Sequence, residues 1–149
     1  MIKGVQHVNV TISNLDEAIH FFCDILGFEM IMPVNETSSE GLRNITQLPG
    51  AHIKFCLVKA PDNTEIEITQ YLEPKGERID LKVCNIGVGH IAFEVDDIMK
   101  TYRDLSAKGV VFTHPPVIIL GGQFKGKGAC YMKGPDGITI ELIEFPKKA

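Results

Sequence analysis

The sequence lacks the features that would place it in a membrane or on a secretory route. Its longest apolar runs resemble Val117–Leu120, whereas a transmembrane helix needs about 20 apolar residues. Residues Met1–Gly4 lead directly into a strand-like pattern, without the cationic segment and apolar core of a signal peptide. We therefore expect a cytoplasmic protein with no membrane partner.

Basic charge and paired cysteines are also scarce. Lys and Arg total 15 against 19 Asp and Glu, for a formal net charge of −4, so the chain lacks the basic surface that nucleic-acid binding needs. The cysteines contain no C-x-x-C pair, which excludes zinc-knuckle and redox motifs, and we expect them to be small buried hydrophobes. They are Cys23, Cys56, Cys84 and Cys130.

The patterns that are present repeat themselves along the chain. The first half predicts a strand, a helix capped by Ser13 or Asn14 and ended by Gly27, and three more strands, with Asn35–Pro49 as an irregular loop. The predicted strands are Val5–Ile12, Phe28–Met32, His52–Val58 and Glu65–Tyr71. A hydrophobic fraction of 44% suits a globular protein.

The second half predicts the same order of elements. Asp96-Asp97 caps a helix that ends at Gly109. The predicted strands are Val88–Val95, a strand that starts with Val110–Phe112, and then Ala129–Met132 and Ile138–Phe145. We predict an α+β fold in which two tandem βαβββ modules, approximately 1–75 and 83–149, make one domain, 1–149. Their curved sheet would enclose a cleft lined by the faces that the helices leave uncovered.

Each half carries a His in its first strand and a Glu in its last. These residues are His7 and Glu67, then His90 and Glu141. Each Glu is flanked by apolar residues in a strand, so it points away from their face, and a buried carboxylate needs a cation or a proton. Two imidazoles and two carboxylates suit one divalent metal ion, which could be Zn, Ni, Co, Mn or Fe. Glu65 and Gln70 are nearby alternatives to Glu67.

At these residues the chain resembles the vicinal-oxygen-chelate superfamily of glyoxalases, bleomycin resistance proteins and extradiol dioxygenases. The resemblance covers nearly the whole chain and is strongest in Gly89–Asp97 and Gly134–Leu142, although Gly134 stands where the family's motif has Asp. It implies that His7, His90 and Glu141 bind the metal. The Ile66–Thr69 context of Glu67 is similar to that of glyoxalase I.

The resemblance implies a glyoxalase-like isomerase or lyase that acts through a metal-bound enediolate on a small carbonyl substrate, in a homodimer. Glu141 or Glu67 would be the catalytic base, and the sequence leaves the choice open. Phe28–Met32 is not followed by the Arg that glyoxalase I often carries, so lactoylglutathione lyase itself is not assigned. Alternatives are an acyl-CoA epimerase, which typically has Gln in place of Glu67, an extradiol-type dioxygenase, or a non-catalytic antibiotic-binding protein.

Two further residues are candidates for substrate binding. Tyr131 precedes Glu141 at a spacing similar to that of extradiol enzymes, but the His that those enzymes place before the Tyr is absent. Lys127 lies in the glycine-rich segment Gly121–Gly128, which we interpret either as a flexible connection or as a lid over the cleft. In a lid, Lys125 or Lys127 would meet an anionic group of the substrate. The segment resembles a phosphate-binding loop but ends in Gly128 rather than Ser or Thr, so an ATP site is excluded.

Overall fold

The computed structural model describes residues 1–146 and separates into two compact units, Met1–Arg78 and Ile79–Ala149. Each unit contains a four-stranded mixed sheet with helices, which confirms the predicted α+β class with two tandem modules. Residues 147–149 of the predicted second module lie outside the described residues. Among the described residues, no helix is both long and apolar enough to span a bilayer.

The strands of the first unit are β1 (His7–Thr11), β2 (Glu29–Thr37), β3 (His52–Lys59) and β4 (Glu65–Glu73). They form a sheet in the order β1-β4-β3-β2. β1 and β4 are parallel, and the other neighbouring strands are antiparallel. Helix α1 (Leu15–Ile19) continues into a π-helical turn (His20–Ile25), and α2 (Glu40–Thr46) follows β2.

Capping and alternation explain these elements. The Asn14 side chain accepts hydrogen bonds from the backbone N–H of Asp16 and Glu17, at 3.1 and 3.4 Å, and thereby starts α1. Gly27, at φ 79°, ends the helical segment in the left-handed conformation that favours glycine. In β4, Ile66 and Ile68 are fully buried. Since side chains alternate along a strand, the residues between them project from the opposite face.

The prediction of an irregular loop over Asn35–Pro49 was wrong. β2 continues to Thr37, and α2 then occupies Glu40–Thr46. The Ser39 hydroxyl accepts a hydrogen bond from the Leu42 N–H at 3.2 Å, so a local cap supports the short helix. The polar composition of the segment concealed this cap because Ser is typical of both loops and helix starts.

The second unit repeats the topology within residues 79–146. Its strands are β5 (Ile91–Glu94), β6 (Val117–Ile118), β7 (Gly128–Lys133) and β8 (Thr139–Glu144). The strand order is β5-β8-β7-β6, with β5 and β8 parallel. Asp97 caps helix α3 (Ile98–Ala107) by accepting from the Lys100 N–H at 2.8 Å, and the Glu144 carboxylate accepts from the Ile98 N–H at the same distance.

The predicted strand at Val110–Phe112 is not formed. Phe112 makes an isolated bridge to Met132, and the strand that pairs with β7 is Val117–Ile118. Pro115 and Pro116 lie between the bridge and β6. Because proline has no N–H to donate, a continuous ladder cannot run through these positions.

Candidate functional site

In the first unit, His7 and Glu67 project from the same face of the sheet. The Cα partners across the parallel β1–β4 pair are His7 with Glu65 and Asn9 with Glu67. His7 and Glu67 are therefore diagonal neighbours, because Glu67 lies two residues beyond the Cα partner of His7. The face is the one opposite buried Ile66 and Ile68.

In the second unit, His90 and Glu141 are in direct contact. His90 Nε2 lies 2.9 Å from Glu141 Oε2, with 39% of the imidazole and 18% of the carboxylate side chain exposed. His90 immediately precedes β5, and Ala92 is the Cα partner of Glu141. The shortness of β5 thus places His90 at the strand end, free to turn toward the carboxylate of β8.

Tyr131 completes the surroundings of this pair. It is the Cα partner of Glu141 across the antiparallel β7–β8 pair, and its ring centroid lies 5.3 Å from that of His90. A phenol beside an imidazole and a carboxylate can donate a hydrogen bond to an oxygen of a bound molecule, or accept one from its hydroxyl group. The structure therefore brings together three of the residues predicted for the site.

Each unit offers two of the four predicted metal ligands. Within neither unit do the described residues gather three His, Cys, Asp or Glu side chains that could hold a metal ion. Of the alternatives to Glu67, Glu65 lies on the same face and accepts from Gln6 Nε2 at 2.7 Å. Gln70 lies on the opposite face, where its Oε1 accepts from the Leu15 N–H at 3.0 Å.

The other predicted substrate residue, Lys127, is held by aromatic rings. Its Nζ lies 4.5 Å from the ring centroid of Phe124 and 4.1 Å from that of Phe145, which are favourable cation–π distances. The Lys127 carbonyl also accepts a backbone hydrogen bond of 2.9 Å from the Ile119 N–H across a short hairpin. Four strand positions separate Lys127 from Tyr131, about 13 Å at the usual rise per residue.

The sequence analysis missed four polar residues on these faces. Asn9 Nδ2 donates to Glu67 Oε1 at 2.8 Å and to the hydroxyl of buried Thr69 at 2.7 Å. Lys133 donates to the Thr139 hydroxyl at 3.3 Å, two positions from Tyr131 on the same face. Strand parity would have revealed them, because Asn9 is two positions after His7 and Thr69 two after Glu67.

The buried cysteines do not supply a nucleophile. Burial raises the pKa of the Cys56 thiol to about 11, and the negative charges of Cys23 and Glu67 add to this effect. Burial, followed by the charge of Glu141, likewise raises the pKa of Cys130 to about 11. Both thiols therefore stay protonated near neutral pH. Cys84, which we expected to be buried, is exposed.

The chain belongs to the Glyoxalase/Bleomycin resistance protein/Dioxygenase superfamily, whose sequence profile matches residues 4–142. This match confirms the resemblance found in the motifs. A glyoxalase family protein from Bacillus cereus has the same fold, with a TM-score of 0.82 at 23% identity over 97% of this chain and 95% of that one.

Two curated relatives carry names of enzymes. The chain is 27% identical to a 2-epi-5-epi-valiolone epimerase from Actinomyces sp, over 98% of this chain and 81% of the relative. It is 28% identical to a probable lactoylglutathione lyase from Synechocystis sp., over 95% of both chains. Relatives of the chain are thus lyases and epimerases.

Proposed function

We propose that this chain is a metal-dependent enzyme that moves a proton on a carbon beside a carbonyl group, as a glyoxalase-like isomerase or lyase. The observation that carries the proposal is the contact between His90 and Glu141, 2.9 Å, on the sheet face opposite the core. The first repeat has His7 and Glu67 on the corresponding face. The helices pack on the other face of each sheet, where Gln70 accepts from the Leu15 N–H and Glu144 from the Ile98 N–H, so helix packing does not account for the repeated His and Glu.

The chemistry of the donor set, two imidazoles and two carboxylates, suits a divalent ion, for which we propose His7, Glu67, His90 and Glu141 as ligands. Imidazole nitrogen and carboxylate oxygen are common ligands of Zn, Ni, Co, Mn and Fe. When bound, the ion would act as a Lewis acid that stabilises negative charge developing on substrate oxygens. Both Glu67 and Glu141 are only partly exposed.

The protein's own residues would perform the proton transfer. Glu141 or Glu67 takes a proton from the carbon beside the carbonyl and returns it to the adjacent carbon or to the opposite side of the same carbon. Tyr131 would contact a substrate oxygen near His90, and Lys127 would attract an anionic group farther along the strand. The substrate is a small carbonyl compound.

An epimerase is the second candidate, because the same base can return the proton to the carbon it left. The observation that favours it is the 27% identity to an epimerase over 98% of the chain. An acyl-CoA substrate is less well supported than a small one, since Glu67 replaces the Gln typical of acyl-CoA epimerases. The two candidates differ in where the proton goes, not in which groups move it.

We further propose that the protein is a homodimer, as the superfamily resemblance implies. The edge strand β6 exposes Val117 and Ile118, by 48% and 54%. Apolar side chains on an unpaired sheet edge favour association with another chain. Sedimentation equilibrium should therefore give twice the chain mass, and a concentration-independent monomer mass would contradict this proposal.

The proposed function is tested by metal content and solvent exchange together. The purified protein should hold about one equivalent of Zn, Ni, Co or Mn, and a His7→Ala/His90→Ala variant should lose it. In D2O the loaded protein should incorporate deuterium into lactoylglutathione or into 2-epi-5-epi-valiolone, as seen by NMR.

Other outcomes would assign other functions. Ferrous iron with oxygen uptake on catechols would favour the extradiol dioxygenase. The enzyme proposal fails if neither the wild type nor the His7→Ala/His90→Ala variant retains metal after incubation with each ion, and no deuterium is incorporated. A metal-free binding protein, such as an antibiotic-sequestering one, would then be the better explanation.

A further inference from the structure

The His7 ring is held by an amide. Its Nδ1 is hydrogen-bonded to Gln6 Oε1, and Gln6 Nε2 donates to Glu65 Oε2 at 2.7 Å. A carboxylate only accepts hydrogen bonds, so the nitrogen of the Gln6 amide must face Glu65 and its oxygen must face His7. His7 Nδ1 is therefore the donor, and in the neutral imidazole the lone pair resides on Nε2. That is the nitrogen left to bind a metal.

The Glu67 carboxylate is held by a second amide. Asn9 Nδ2 donates to Glu67 Oε1 and to Thr69 Oγ1, at 2.8 and 2.7 Å, so both amide protons are used. The Thr69 hydroxyl also lies 3.3 Å from Glu67 Oε1, and the Thr11 hydroxyl donates to Asn9 Oδ1 at 3.3 Å. The hydrogen bonds found among the described residues converge on Oε1 of Glu67, which leaves Oε2 as the oxygen for a cation.

The second repeat has no counterpart of either amide. Gly89 precedes His90 as Gln6 precedes His7, and Ala92 is the Cα partner of Glu141 as Asn9 is of Glu67. Neither Gly nor Ala has a polar side chain. Instead, His90 Nε2 and Glu141 Oε2 bind each other at 2.9 Å, so the atoms suited to a metal are occupied by an internal hydrogen bond.

We propose that Gln6 and Asn9 are positioning residues that orient the first-repeat pair, His7 and Glu67, for metal binding. The inference rests on the proposed function. Gln6 selects the tautomer that presents Nε2 of His7, and Asn9 fixes which oxygen of Glu67 is presented. The first repeat is thus preorganised, whereas the second must break its His90–Glu141 hydrogen bond to bind a metal ion. Removal of a residue that hydrogen-bonds to a metal ligand typically weakens metal affinity by about 10- to 100-fold.

The test is cobalt(II) affinity, by competition with a chelator, together with the visible absorption spectrum of the cobalt-loaded protein. Asn9→Ala and Gln6→Ala should each weaken binding about 10- to 100-fold and alter the spectrum. The thermal midpoint of the metal-free variants should stay close to that of Asn44→Ala, a matched change on an exposed position of α2. That control should bind cobalt like the wild type.

A double-mutant cycle shows whether each amide acts through its partner. Asn9→Ala should have no further effect on affinity in a Glu67→Ala background, and Gln6→Ala none in a His7→Ala background. Wild-type affinity in Asn9→Ala and Gln6→Ala, or equal losses with and without the partner, would overturn the positioning role alone. Failure of the wild type to bind cobalt, or full affinity in His7→Ala and Glu67→Ala, would overturn the proposed ligand set and this inference with it.

Discussion

The most informative single perturbation is Glu141→Gln, because it removes the negative charge but keeps the size and shape of the side chain. Gln keeps a side-chain oxygen that can accept from His90 Nε2, which lies 2.9 Å from Glu141 Oε2. The metal-free fold should therefore be barely affected. The substitution abolishes the carboxylate that we propose as a metal ligand and a proton acceptor, so metal affinity and proton transfer should both fall.

The size of the effect follows from the role of a general base. Positioned acid–base groups contribute about 10²- to 10⁴-fold to rate, which corresponds to about 2.7–5.4 kcal/mol of activation free energy. At saturating metal, deuterium incorporation should slow by that factor for whichever of the two test substrates the wild type exchanges. Working at saturation separates the chemical step from the weaker metal binding.

The matched control is Glu144→Gln, the same chemical change three positions along β8. Glu144 faces α3 and accepts from the Ile98 N–H at 2.8 Å, a bond that Gln can keep. This variant should exchange deuterium within about twofold of the wild type, since its change lies off the site face. Exchange in Glu141→Gln that stays within a few-fold of wild type at saturating metal would refute Glu141 as the base and direct attention to Glu67.

Three further predictions test the site and the fold. Tyr131→Phe should leave deuterium exchange within a few-fold of wild type, and a large loss accompanied by oxygen uptake would instead support catechol chemistry. Phe22→Ala removes a fully buried ring and should cost about 3–5 kcal/mol, seen as a lower denaturation midpoint; an unchanged midpoint would contradict the assigned core. A thiol reagent at pH 8 should label exposed Cys84, whereas Cys56 and Cys130 should resist until the pH approaches 11, because their raised pKa leaves about 0.1% thiolate at pH 8. Rapid labelling of Cys56 or Cys130 in the folded protein at pH 8 would contradict the burial of that thiol.

The duplicated fold could be predicted because its signals are local. Strand alternation, the cap at Asn14 and the stop at Gly27 all act within a few residues, and the repeat doubles each observation. The prediction failed where local signals compete. At Asn35–Pro49 a serine cap turned a polar stretch into helix α2, and at Val110–Phe112 the prolines that follow displaced the strand to Val117–Ile118.

What the sequence by itself determined is the α+β duplication, the superfamily and the face on which the His and Glu residues lie, because periodicity of two settles which side chains share a face. Only the tertiary structure decided which of them touch. The β1–β4 register sets Asn9 beside Glu67, and the short β5 lets His90 reach Glu141. Register and strand ends depend on pairing between residues that are 58 positions apart in β1–β4 and 49 apart in β5–β8, which no local pattern encodes. The two halves therefore look alike in sequence but hold their carboxylates in different ways.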